Sequence, residues 1–435
     1  MWLESIYEEH LSEAAFLWTQ WEQELRGARS TLTEVAVREE RLLAHLDALV
    51  IGGEPVAEAL LKPALEGEDP GEVFTAAFAS IAETPPAALE TVLVLVPVAP
   101  APVLSALKRA LELSGREGVE SALVARLRGS EAVLVALALE VLAFRDAVPP
   151  GMALELLGHS DGRVAAAALR ALGAAPRKVS SFDVVPWMSD PRPEVRWAAV
   201  ELALLSGSRA AWTECRTEIE KRGPALREAL MFLALGGDDK DLERLLVLAG
   251  DEAVCADALW ALGFTGRVAA AELCLELTRQ KPSVARLAGE AFSSITGLKL
   301  KGVYVEEREV AEEAALPPLE EEDLDADLSP KPEDSLPVPA LASVMGWWQE
   351  ARKDFSKDRR YLGGQPFSGA TLLEALASGV MRRRSVHALE LALRTHGMQQ
   401  VRTFAFTKRQ RAEVARAEAV RESLSRQPLV RLFGG

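Results

Sequence analysis

Residue types able to do chemistry are few in this chain, and they are scattered. Cys215, Cys255 and Cys274 form no C-x-x-C pair and no His/Cys spacing that suits zinc, so they read as reduced core thiols. His10 and His45 each fall on a predicted helix with no second His, Cys or suitably spaced carboxylate on the same face, which points to packed histidines. Paired carboxylates are numerous but lie on predicted solvent faces. The sequence contains no G-x-S-x-G, no P-loop and no H-E-x-x-H. Gly363-Gly364 is too isolated for a phosphate cradle and is expected to end a helix. The expectation is therefore of a non-enzyme with no catalytic, cofactor-binding or metal-binding residue and no cofactor. What remains are side chains suited to gripping a partner. These are the aromatic pair Trp347 and Trp348, then Arg360 and Tyr361, then the basic triplet Arg382, Arg383 and Arg384 with a basic tail from Lys408 to Arg431.

Charge narrows the choice of partner. The formal net charge is −16, distributed unevenly: residues 1–305 carry 30 Lys/Arg against 44 Asp/Glu, residues 306–335 carry 2 against 13, and residues 336–435 carry 17 against 8. Phosphate binding needs a surplus of Lys and Arg, which the main body lacks. The basic tail is thus expected to meet an acidic protein surface or the chain's own acidic stretch sooner than a nucleic acid. Val92 to Leu104, the longest apolar run, is interrupted by Pro97, Pro100 and Pro102 and is too short to cross a bilayer. The first residues lack the basic and apolar regions of an export signal, so a cytoplasmic location is expected.

The elements that must position these side chains announce themselves by a repeat. Val73, Val103, Val133, Val164, Val195, Ala225, Val254 and Val284 open eight similar frames, six of them followed by apolar residues four, five and eight positions on. Ala258, Leu259 and Leu262 follow Val254 in this way, and Ala229, Leu230 and Leu233 follow Ala225. Breakers such as Pro149-Pro150-Gly151, Ser189-Asp190-Pro191 and Lys281-Pro282-Ser283 fall between frames. About thirty residues then hold two short helices and two turns, and such hairpins must stack on one another to bury a core. Ahead of them, residues 3–25 and Leu32 to Leu49 read as two amphipathic helices. Residues 306–339, rich in Glu and Pro, read as a self-repelling linker.

Two of the frames carry a specific likeness. The run Ser189 to Leu202 and the run Asp161 to Gly173 resemble HEAT repeats of the short bacterial type. That resemblance implies that Asp161 and Asp190 cap the helices that follow them. Ile6, His10, Glu13 to Trp18, Arg41 and Ala44 to Leu49, with Arg360-Tyr361-Leu362-Gly363-Gly364-Gln365-Pro366, are similar to an uncharacterised family of bacterial HEAT-repeat proteins. Members of that family tend to be encoded beside type VI secretion spike and effector genes. The resemblance implies an association with effector delivery and transfers no catalytic residue.

The resulting expectation is an all-α fold, a HEAT-repeat α-solenoid in four parts. An N-terminal helical cap occupies residues 1–55, the solenoid 56–303, a disordered acidic Pro-rich linker 304–340 and a small basic helical module 341–435. The function expected is a protein-binding scaffold, an adaptor or chaperone for a type VI effector or spike component. The alternatives are an immunity protein that occludes a toxin and, against the acidity of the body, a HEAT-type enzyme acting on nucleic acid. The expected partner is a protein: a cargo effector, a spike component or a toxin. No membrane contact is expected, and no oligomeric state is implied.

Overall fold

A computed structural model describes residues 4–82, 86–174, 182–306 and 332–433. Among them the fold is all-α, built from consecutive helices packed in pairs, with a single two-stranded antiparallel ribbon, Tyr361–Leu362 with Gln365–Pro366. Contacts divide the chain into two compact units. One contains Met1–Thr217, Leu373–Ser425 and Arg431–Gly435; the other contains Glu218–Leu372 and Arg426–Val430.

Each of the eight apolar frames lies in or at the start of a helix, and successive helices begin about thirty residues apart. In the first unit these are Pro70–Ala82, Ala101–Leu113, Ala132–Phe144, Gly162–Ala174 and Pro193–Leu205, each packed on the next. In the second they are Leu226–Gly236, Cys255–Thr265 and Pro282–Thr296, packed in the same succession. Shorter helices such as Val119–Arg126, Met152–Leu156 and Asp239–Leu248 lie against them. Close approach is possible because the contact positions are small: Ala77, Ala106, Ala168, Ala199, Ala258 and Ala288 have no exposed surface. Glu4–Glu24 and Leu32–Ile51 form the two N-terminal helices, and the second is opened by a capping box in which Thr31 N donates to Glu34 at 2.7 Å.

Within the first unit, the C-terminal ends of these helices decide where the last part of that unit's chain runs. The last carbonyls of a helix have no partner within it and carry the negative end of its dipole. Here arginines supply the donors. Arg116 Nη1 donates to Ile81 O at 2.7 Å, and Arg145 Nη1 donates to Leu111 O at 3.1 Å. Further along, the donors come from the far end of the sequence: Arg402 Nε and Arg409 Nη2 reach Phe144 O at 3.0 and 2.8 Å, and Gln400 Nε2 reaches Gly173 O at 2.8 Å. Phe404 O in turn accepts from Arg109 Nη2 at 2.6 Å, and Phe406 packs between Trp21 and Phe78. Residues 396–407 therefore run across the file of helices in reverse order, beginning where His396 lies against Gly207. The strap ends at Thr407, whose N–H donates to both oxygens of the buried Glu39 at 2.9 and 3.0 Å. Burial pushes that carboxyl up, and the hydrogen bonds from Thr407 only partly offset it.

These contacts place Leu373–Ser425 with the N-terminal helices, whereas the charge pattern groups all of residues 341–435 as one module. The acidic stretch also differs at its ends from a free tether. Glu306 N donates to Val338 O at 2.9 Å and Ala340 N to Tyr304 O at 3.0 Å, so the chain entering and leaving it is held side by side. Residues 307–331, on which the expectation of disorder mainly rests, lie outside the described residues.

Removing Arg402 would take from the half-buried carbonyl of Phe144 one of its two side-chain donors, the other being Arg409, and would break the ion pair with Asp146. Arg402→Ala should lower stability by about 1.5–3 kcal/mol, the range for hydrogen bonds from a charged donor, read as a fall in the midpoint of urea unfolding.

Candidate functional site

The residues singled out by type and spacing end in three places. Asp161 behaves as a cap: its Oδ1 accepts from Arg163 N at 2.9 Å at the start of Gly162–Ala174. The Arg163 guanidinium closes on the same carboxylate at 2.6 Å and holds it well down, at about 2. Asp190 does not cap its helix. Pro193 has no N–H to offer and forces Arg192 before it into an extended conformation, so the helix begins three residues after Asp190. The carboxylate of Asp190 turns instead to Arg192 N at 2.9 Å, and the Arg192 side chain depresses its proton affinity. Arg192 also donates to His159 O at 3.0 Å, tying one frame to the frame before it.

The aromatic and Arg-Tyr candidates fall in the second unit. Trp348 is buried and Trp347 half-buried, both edge-on to Phe292 with ring centres 5.4 and 6.2 Å away. Phe355 and Tyr361 continue the cluster at 5.2 and 4.7 Å from ring to ring. Arg360 and Tyr361 then perform the service that Arg402 performs elsewhere. Arg360 Nη2 donates to Phe264 O and Tyr361 N to Gly266 O, both at 2.8 Å, closing the end of Cys255–Thr265. Gly363 N and Gly364 N donate to Ser294 O and Ile295 O at 2.8 and 3.0 Å, closing the end of Pro282–Thr296. Gly363-Gly364 thus forms the two-residue turn of the ribbon and does not terminate a helix. Both residues have positive φ, +58° and +81°, as the right-handed twist of a tight hairpin requires. The motif is an internal clamp, and Tyr361, being buried, presents nothing to a partner.

The basic triplet is largely internal as well. Arg384 has no exposed surface; its Nε donates to Leu376 O at 2.6 Å and its Nη1 to the Gln410 side chain. Burial lowers this guanidinium to about 10. Arg383 is buried and Arg382 half-buried, and Arg382 N donates to Gly27 O at 2.9 Å. Neither Arg383 nor Arg384 can serve as a surface hook. The reason is positional: the helix Met381–Arg394 is flanked by the N-terminal turn and by Gln410, so the apolar stems and polar heads of both arginines are enclosed.

Sequence reasoning missed one pair. His10 and His45 sit on the two N-terminal helices, which pack on each other, and bring Nδ1 to within 3.0 Å of Nδ1. Their rings meet nearly edge-on, 5.1 Å apart. Burial is the first cause that holds His45 below the usual imidazole range, followed by the neighbouring His10; Glu13 and Glu9 act in the opposite sense. Glu13, one turn after His10, is on the same helix face, which the spacing alone could have shown. The partnership across 35 residues of sequence could not be read from either helix separately.

Among the described residues no group of three or more His, Cys, Asp or Glu could hold a metal ion, and no helix is long and apolar enough to cross a membrane.

Gly364→Ala would place a Cβ 2.5 Å from Thr296 O in a left-handed backbone conformation, and should cost about 1–3 kcal/mol, measured as a lowered thermal midpoint. The His pair predicts a pH dependence. His45 has a depressed proton affinity in the folded chain, so the unfolded chain binds the extra proton first. The stability it contributes is complete above about pH 6.5 and is lost as pH falls below that. Thermal midpoints from pH 7.5 down to 5 should therefore fall more steeply in the natural chain than in His45→Asn. No protein-family model matches this chain, and no curated protein matches it in sequence.

Proposed function

We propose that this chain is a HEAT-type α-solenoid acting as a non-catalytic protein-binding scaffold. Its partner would be an effector or spike component of a type VI secretion locus, held before delivery. The supporting observation is an aliphatic side chain that recurs at one repeat position of the segments between the frame helices. Val94, Val124, Leu154 and Val185 recur at steps of about thirty residues in the first unit. Val94, Leu154 and Val185 are 70%, 45% and 48% exposed, and Val124 is half-buried. Ion pairs link the first three of these segments, Arg126 with Glu90 and Arg128 with Glu155 at 3.3 Å. Single exposed aliphatics need no explanation, but the same position left apolar at repeat after repeat supplies a recurring contact point for a partner. A stack of rigid helices presents such points with little reorganisation on binding, which favours affinity.

The secretion context comes from the likeness of the N-terminal pattern and the Arg360 to Pro366 motif alone, so the test must address it directly. The full chain should be used, since cutting at residue 305 would remove the donors from the helix ends near Phe144 and Gly173. Tagged full-length protein is expected to capture a secreted neighbour-encoded product and to be required for its delivery. Leu154→Asp with Val185→Asp should weaken that capture at least about tenfold with an unchanged thermal midpoint. Capture of a toxin with delivery intact would indicate occlusion instead, and undiminished capture by the double variant would move the contact off these positions.

A further inference from the structure

The paired imidazoles at the N-terminal helices have a geometry that the scaffold reading does not use. Two ligand nitrogens each about 2.0–2.1 Å from a metal, subtending roughly 90–110°, lie about 2.9–3.4 Å apart. The Nδ1 atoms of His10 and His45 are 3.0 Å apart. We propose that His10 and His45 form a two-imidazole site for a late first-row divalent metal ion, of the class of Cu²⁺ or Zn²⁺, completed by water.

The surroundings suit such an ion. Both histidines are half-buried, so solvent reaches them. The ligands come from two packed helices, Glu4–Glu24 and Leu32–Ile51, so the pair is positioned before metal arrives. Glu13 and Glu9 place carboxylates beside the pair, with Arg41 the opposing charge. Imidazole nitrogen favours Cu²⁺, Ni²⁺ and Zn²⁺ over the hard cations, with Cu²⁺ held most tightly. In the metal-free chain the short contact serves as a hydrogen bond, one Nδ1 donating to the other. Metal binding moves that proton to Nε2 of the same ring, so that both Nδ1 lone pairs face the ion and no net charge is lost. With two protein ligands, the site is weaker than a four-ligand structural site and open to exchange.

The full chain titrated with Cu²⁺ at pH 7.5 should bind one equivalent, with an electron paramagnetic resonance signal showing coupling to two nitrogens. His10→Asn and His45→Asn should each weaken binding at least about tenfold, whereas His159→Asn should leave it unchanged. A second measurement needs no variant: in the natural chain, sub-stoichiometric Cu²⁺ should broaden the ring resonances of His10 and His45 before those of His159, His387 and His396. Unchanged affinity in both variants, or earlier broadening of another histidine, would overturn the assignment, as would failure to bind an equivalent of Cu²⁺.

Discussion

Helix ends that point the same way create a demand for hydrogen-bond donors, and much else in this protein follows from meeting it. When short helices are laid side by side with their C-termini along one edge, each leaves unpaired carbonyls and a partial negative charge there. Left buried without donors, each such carbonyl costs about 1–3 kcal/mol. Within the first unit the early helices borrow arginines from the segment that follows, Arg116 and Arg145, and the later ones borrow Gln400, Arg402 and Arg409. Within the second unit the ribbon from Arg360 to Gly364 does the same for two helices.

This arrangement gives the charge asymmetry a structural meaning. A basic segment following an acidic body suggests an acidic protein surface or the chain's own acidic stretch as its partner, sooner than a nucleic acid. Much of that basic character is instead consumed inside the fold: Arg402 and Arg409 meet Asp146 as well as carbonyls, Arg352 meets Glu272 at 2.6 Å, and Arg384 is enclosed. The side chains most suggestive of recognition in the sequence are thus among the least available for it. Val94, Leu154 and Val185, individually unremarked because each is a lone Val or Leu, are exposed instead.

The same burial gives the C-terminal segment a role in stability. Glu39, a carboxylate that burial disfavours, is retained at the start of Thr407–Ala417, where the first N–H groups of a helix need an acceptor. Its partner lies more than three hundred residues away in the chain, so the N-terminal helices and the C-terminal strap hold each other in place.

Local sequence carried the all-α class and the places where helices begin. Apolar spacing marks Pro70–Ala82 through Pro282–Thr296 because a helix face is written in residues three and four apart, and breakers mark its ends. Asp161 was legible as a cap for the same reason, its partner being two residues away, while Asp190 was displaced by a proline whose effect is also local. What residue type and spacing could not settle was which donors meet which carbonyls, that Arg360 and Arg384 face inward, and that His10 meets His45. Those are contacts between segments distant in sequence, selected by packing and by the requirement that buried polar groups find partners, and only the folded chain brings the two sides together.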